Sequence, residues 1–186
     1  VTDLTTLADV KAYLKITNTT DDAVLNRLIT AASTFMRSWL NRDITQQTYT
    51  ETRDGRGSTK LAMKNYPVTA VSSLAIDGLT IPQSTTVTTP GWCLDDSGIL
   101  IQLRGGVYFF SKGMQNVTVT YTAGFATVPY DIAQCCIEMV AYRYKESDRI
   151  GVSAKTLAGE VISYSQRDVP PASLTIMTQY KRVFTL

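Results

Sequence analysis

Val117-Thr118-Val119-Thr120-Tyr121-Thr122-Ala123-Gly124 is followed, after three residues, by Val128-Pro129-Tyr130-Asp131-Ile132, and this junction decides how the chain is organised. In the first half Val117, Val119 and Tyr121 alternate with threonines, the period of a strand with one dry and one wet face. In the second half Pro129 stands where a first helical turn tolerates proline, and Asp131 suits the positive end of a helix dipole. Ile132, Cys135, Cys136, Met139, Val140 and Tyr144 then recur on one helical side. A sheet ends here and a helix begins.

Upstream, the text is also helical. Thr6 offers a capping hydroxyl ahead of Leu7, Val10 and Leu14, which share one face of a short helix. Asn18-Thr19-Thr20-Asp21-Asp22 is a second start signal. Behind it Val24 and Leu25, Leu28 and Ile29, Ala32, Phe35 and Met36, and Trp39 and Leu40 make an apolar stripe that demands burial. The periodicity changes at Asn41-Arg42-Asp43-Ile44.

From Thr45 to Gly124 the chain is threonine-rich and reads as short strands over 47–53, 59–63, 70–76, 79–81, 92–95, 98–103 and 116–122. Asp54-Gly55, Asp77-Gly78 and Asp96-Ser97-Gly98 read as turns between them, the first two being the dipeptide favoured in type I′ hairpins. This block is expected to be a small antiparallel barrel or sandwich. Because amphipathic helices gain most of their stability from burial against one another, the helical stretches on either side need each other. The expected class is α+β: residues 1–44 and 125–186 form a small helical bundle with a C-terminal arm and helix, interrupted by a β-domain inserted over 45–124.

Beyond Gly151 the text is small, polar and aromatic, and Val161-Ile162-Ser163-Tyr164-Ser165 reads as a short strand or an arm. Pro170-Pro171 restarts the chain, with Leu174, Met177, Tyr180 and Phe184 at spacings that fit a last helix. Tyr164, Tyr180, Arg182, Phe184 and Leu186 are residue types common in interface cores, which points to a docking arm that is not fully packed on its own fold.

Composition narrows the function. The chain has 186 residues, 44% hydrophobic and 18% charged, enough to bury a core and too apolar for a disordered segment. With 18 basic and 16 acidic residues the formal charge is +2, too balanced for a protein whose main task is gripping nucleic acid. There is no histidine, so the commonest general base and metal ligand is missing. Cys93, Cys135 and Cys136 have neither disulfide-framework nor zinc-site spacing and read as small buried hydrophobes in a reducing compartment. No signal-like start and no long apolar run is visible, so synthesis as a soluble cytoplasmic chain is expected.

Three motifs invite chemistry and are better read otherwise. Asp95-Asp96 lies beside Ser97-Gly98, and neighbours on a strand point to opposite faces, so a turn explains the pair better than a carboxylate dyad. Arg53-Asp54-Gly55-Arg56-Gly57 lacks the lysine, hydroxyl and following helix of a phosphate-binding loop and reads as a hairpin tip. Arg104-Gly105-Gly106 before Val107-Tyr108-Phe109-Phe110 places a glycine turn beside an aromatic run suited to packing or to a protein partner. Catalytic, cofactor-binding and metal-binding residues are expected to be none, and so are cofactors.

The order of these signals resembles the head-tail connector, or adaptor, proteins of long-tailed phages and phage-like gene transfer particles, in the longer type that carries a β insertion. The likeness rests on Leu7-Ala8-Asp9-Val10-Lys11-Ala12-Tyr13-Leu14-Lys15-Ile16, on Asp21-Asp22-Ala23-Val24-Leu25, and on Tyr66-Pro67-Val68 with Ile76-Asp77-Gly78. It continues through the junction at 117–132 and the closing Leu157-Ala158-Gly159-Glu160, Tyr164-Ser165 and Tyr180-Lys181-Arg182.

The resemblance implies a structural protein of the virion, assembled in the host cytoplasm and located at the head-tail interface. It would form a ring, typically of twelve copies, under the portal protein, extend the channel through which double-stranded DNA passes, and dock stopper or tail proteins. No membrane partner is implied. Tyr164, Arg167, Tyr180, Lys181, Arg182 and Phe184 are the candidate portal anchors; Arg53, Arg56, Arg104 and Tyr108 are candidates for lateral or tail-side contact. Two other readings stay open at this point: a stopper or tail-completion neck protein, and a β-domain that binds a surface ligand with the helices as its mount.

Overall fold

The structure, a computed structural model, describes residues 2–147, 154–157, 160–163 and 169–182, the stretches 154–157 and 160–163 as backbone. The chain divides into two compact units, one made of Val1–Arg42 with Val128–Leu186 and the other of Asp43–Thr127. The described residues form four helices and antiparallel sheets, an α+β fold with a β-rich insert.

The helical unit contains α1 (Leu7–Leu14), α2 (Asp22–Leu40), α3 (Tyr130–Glu146) and α4 (Pro171–Tyr180). Thr6 caps α1 by accepting the Asp9 N–H at 3.2 Å. Lys15 and Asn41 end α1 and α2 in the left-handed conformation. The core of this unit is built from Leu25, Ile29, Ala32, Met36 and Leu40 of α2 with Ile132, Cys135, Cys136, Met139 and Val140 of α3. Leu4, Val10 and Met177 are buried as well. The α2 stripe is narrower than its sequence reads: Val24 is exposed, and Phe35 and Trp39 are only half-buried. The two rings each lie under a cation, Arg143 being 5.6 Å from the Phe35 ring and Lys181 4.6 Å from Trp39.

α4 is part of this core. Met177 and Ser173 are fully buried, and the Ser173 hydroxyl donates to Glu138 on α3 at 2.8 Å. The Arg182 N–H then donates to the Leu40 carbonyl at 3.0 Å. The expectation that the C-terminal text is loosely packed is therefore corrected for residues 170–182. One buried methionine and a buried serine hydroxyl tie a weakly amphipathic helix to its neighbours, a pattern too sparse to register as periodicity. Between α3 and α4, β8 (Ala154–Leu157) and β9 (Glu160–Ser163) form an antiparallel pair.

The β unit is a sandwich. One sheet has the order β1 (Gln47–Gly55), β7 (Gly113–Ala123), β3 (Val68–Ile76), β4 (Leu79–Thr80); the other has β2 (Lys60–Ala62), β6 (Leu100–Arg104), β5 (Gly91–Leu94). Leu74, Ile76, Val117, Val119 and Tyr121 of the first face Leu61, Trp92, Ile101 and Leu103 of the second in one buried cluster. Thr48 and Thr50 pair with Thr122 and Thr120 on the wet face, their hydroxyls 3.3 and 3.1 Å apart. Asp77 and Gly78, both at positive φ, make the β3–β4 hairpin turn.

Asp54-Gly55 is not a hairpin. Both residues lie inside β1, which pairs with β7, while β2 belongs to the other sheet. The glycine answers a different demand: a Cβ there would sit 1.8 Å from the Ser111 carbonyl oxygen. The aspartate accepts the Gln115 N–H at 2.6 Å. Both features of a turn dipeptide are used for close backbone approach.

Candidate assembly interface

Among the described residues, no group of three His, Cys, Asp or Glu side chains could hold a metal. Asp95 is a turn residue: its carboxylate accepts the N–H groups of Ile99 and Leu100 at 3.0 and 2.7 Å and the Ser97 hydroxyl. Partial burial works against the ionised form, but those hydrogen bonds together hold the carboxyl below its ordinary value. Cys93, Cys135 and Cys136 are buried free thiols. Burial pushes the Cys136 thiol up to about 11, so it is protonated at neutral pH. No helix among the described residues is long and apolar enough to cross a membrane.

The surface is where the fold concentrates its unusual features. At one end of the sandwich, where β1 and β3 finish and β7 starts, three large apolar side chains face solvent: Leu79 (60% exposed), Phe109 (57%) and Met114 (85%). The backbone beneath them is fixed by a polar network. Asn116 donates to Asp77 at 3.1 Å and to the Ser111 carbonyl at 3.0 Å, and its own carbonyl accepts the Gly55 N–H at 2.8 Å. The Ser111 hydroxyl donates to Asp77. Gly57 N–H and Phe110 N–H add bonds to the Phe110 and Ser58 carbonyls at 2.6 and 2.8 Å. Three turn segments are thus locked together while their apolar side chains remain in water.

Of the residues singled out from sequence, Arg56 and Arg104 are exposed on the β unit, while Arg53 is drawn into an ion pair with Glu51 at 3.3 Å. Tyr108 is half-buried and packs on the sandwich core. Tyr180 donates to Asp131 at 2.7 Å, Lys181 is exposed over Trp39, and Arg182 is half-buried. Tyr164, Arg167 and Phe184 lie outside the described residues. The sandwich tip itself was read only in part, through Arg53–Gly57 and the aromatic run at 107–110. Leu79 and Met114 carried no signal, because a lone apolar residue beside a turn looks the same in sequence whether it points in or out.

The chain thus consists of two units, one of which carries exposed apolar side chains on hydrogen-bonded turns. The family model of head completion proteins matches residues 3–183, and the chain belongs to that family. It is a structural phage head protein and not an enzyme. In fold it is similar to chains of three solved assemblies, each match covering 97% of this chain and 90% of the other. These are the neck of the empty GTA particle computed with C6 symmetry (TM-score 0.61, 18% identity) and the neck of the native particle computed with C12 symmetry (0.60, 18%). The third is the virion of the native gene transfer agent particle (0.57, 16%). No curated protein matches the chain.

Proposed function

We propose that this protein is the head-tail connector, or adaptor, of a tailed phage or phage-like particle. Copies close into a ring of twelve at the head-tail interface of the virion, beneath the portal protein, extend the channel for double-stranded DNA, and provide the platform on which stopper or tail proteins dock. The observation that carries the reading is the fold likeness over nearly the full length to chains of necks with six- and twelvefold symmetry, in a chain of the head completion family. A near-neutral chain suits a channel wall along which DNA slides without being held.

Tyr164, Arg167, Tyr180, Lys181, Arg182 and Phe184 are proposed to face the portal. Lys181 and Arg182 end α4 with one exposed and one half-buried cation, and Tyr180 is braced by Asp131. Arg53, Arg56, Arg104 and Tyr108 are proposed for lateral or tail-side contact, for which exposed Arg56 and Arg104 are the better placed. Crosslinking of the assembled neck tests this. Crosslinks from Lys181 to the portal protein are expected; crosslinks to tail-side proteins alone, or a neck without this chain, would overturn it.

A further inference from the structure

β1 is the outer strand of the four-stranded sheet: it pairs with β7 on one side and with no described strand on the other. At nine residues it is the longest of the sandwich's four edge strands, and an open edge is a template for a further strand. Such an edge is normally blunted by proline, by lysine or by a bulge along its length. β1 has none of these over Gln47–Arg53, where its register with β7 runs unbroken. Its central charges are consumed within the unit, Glu51 pairing with Arg53 at 3.3 Å and accepting the Tyr121 hydroxyl. Gln47, Thr48, Thr50 and Thr52 are the exposed residues over this length, all uncharged. Asp54, the strand's one exposed charge, sits at its end and accepts the Gln115 N–H.

The same chain carries a sheet that lacks a strand. β8 and β9 pair with each other and with no third strand among the described residues, and an isolated two-stranded hairpin is marginal in water. β9 is Glu160-Val161-Ile162-Ser163, with β-branched apolar residues at successive positions, the composition of a strand covered on both faces. β8 is Ala154-Lys155-Thr156-Leu157 and includes the lysine that β1 lacks.

Resting on the ring reading above, we infer that β9 of one copy adds to the β1 edge of the next, so that the sheet runs on as β8-β9-β1-β7-β3-β4 across the subunit boundary. The occupant of the edge is a second copy of this chain because the chain supplies both the unguarded edge and the strand pair that lacks a neighbour. β9 becomes a central strand, and β8, with Lys155, becomes the guarded outer edge. The contact joins two unlike surfaces, as head-to-tail closure of a ring requires, and backbone hydrogen bonds carry it.

The test uses necks assembled from a mixture of isotopically light and heavy chains. A photo-crosslinking amino acid in place of Ile162 is expected to give adducts that join a light chain to a heavy one within residues 47–54. Hydrogen exchange of the amides of residues 47–54 is expected to slow about tenfold or more in the ring relative to the free chain. Ile162→Pro, which takes an N–H from β9, is expected to remove that protection and to cut incorporation into rings about tenfold with the melting of the free chain unchanged, whereas Ile162→Val keeps both. Adducts confined to single chains, adducts only to the portal or a tail protein, β1 amides that exchange as fast in rings as in the free chain, or normal rings with Ile162→Pro each overturn the pairing and leave the ring reading standing. A wild-type chain that joins the neck without forming a ring overturns both readings.

Discussion

Tyr121 shows how much one residue of the alternating stretch carries. Its ring is fully buried and tilted 33° against Tyr49 at 5.7 Å, and its hydroxyl donates to Glu51 while accepting the Asn65 N–H at 3.2 Å. Burial, and then the neighbouring Glu51, raise its pKa well above the ordinary value. Tyr121→Phe removes the donor from a largely buried carboxylate that keeps Arg53, and is expected to cost about 1–3 kcal/mol in urea unfolding. Gly55→Ala is expected to lower the melting temperature and loosen the sandwich tip, because the added methyl meets the Ser111 carbonyl; overpacking of this kind costs about 1–3 kcal/mol. Cys136 gives a pH signature. Its folded pKa is raised by burial from 9.0 to about 11, so its contribution to stability is complete below pH 9 and is lost as pH rises from 9 to 11. Cys136→Ser is expected to flatten that part of the stability profile measured by thermal melting.

Elements that rest on strong periodicity were legible: the two early helices, α3 and all seven strands of the insert stand close to where the alternation and capping residues put them. α4 was legible as a helix but not as core. Met177→Ala is expected to cost about 2–5 kcal/mol, the usual toll of truncating a fully buried methionine. Deleting residues 170–186 is accordingly expected to lower the stability of the helical unit, seen as a loss of helical circular dichroism larger than the ten residues of α4 account for. An unchanged melt would show that α4 adds nothing to the core.

For the whole molecule, the ends of the insert lie side by side. Thr45 bridges Phe125, the Phe125 N–H donates to the Ile44 carbonyl at 2.8 Å, and the Gln46 N–H donates back to the Phe125 carbonyl at 3.0 Å. With its own buried cluster and closed ends, residues 43–127 alone are expected to unfold cooperatively in calorimetry. A broad, non-cooperative melt would show that the sandwich depends on the helices.

The sequence alone determined the α+β class and the main elements, because periodicity and capping are local and each is written in a short window. Which strands pair, that Asp54-Gly55 continues a strand, and that Leu79, Phe109 and Met114 share one end of the sandwich were decided only by the tertiary structure. Those facts join residues tens of positions apart, and no local pattern says which distant backbone will arrive beside a given glycine.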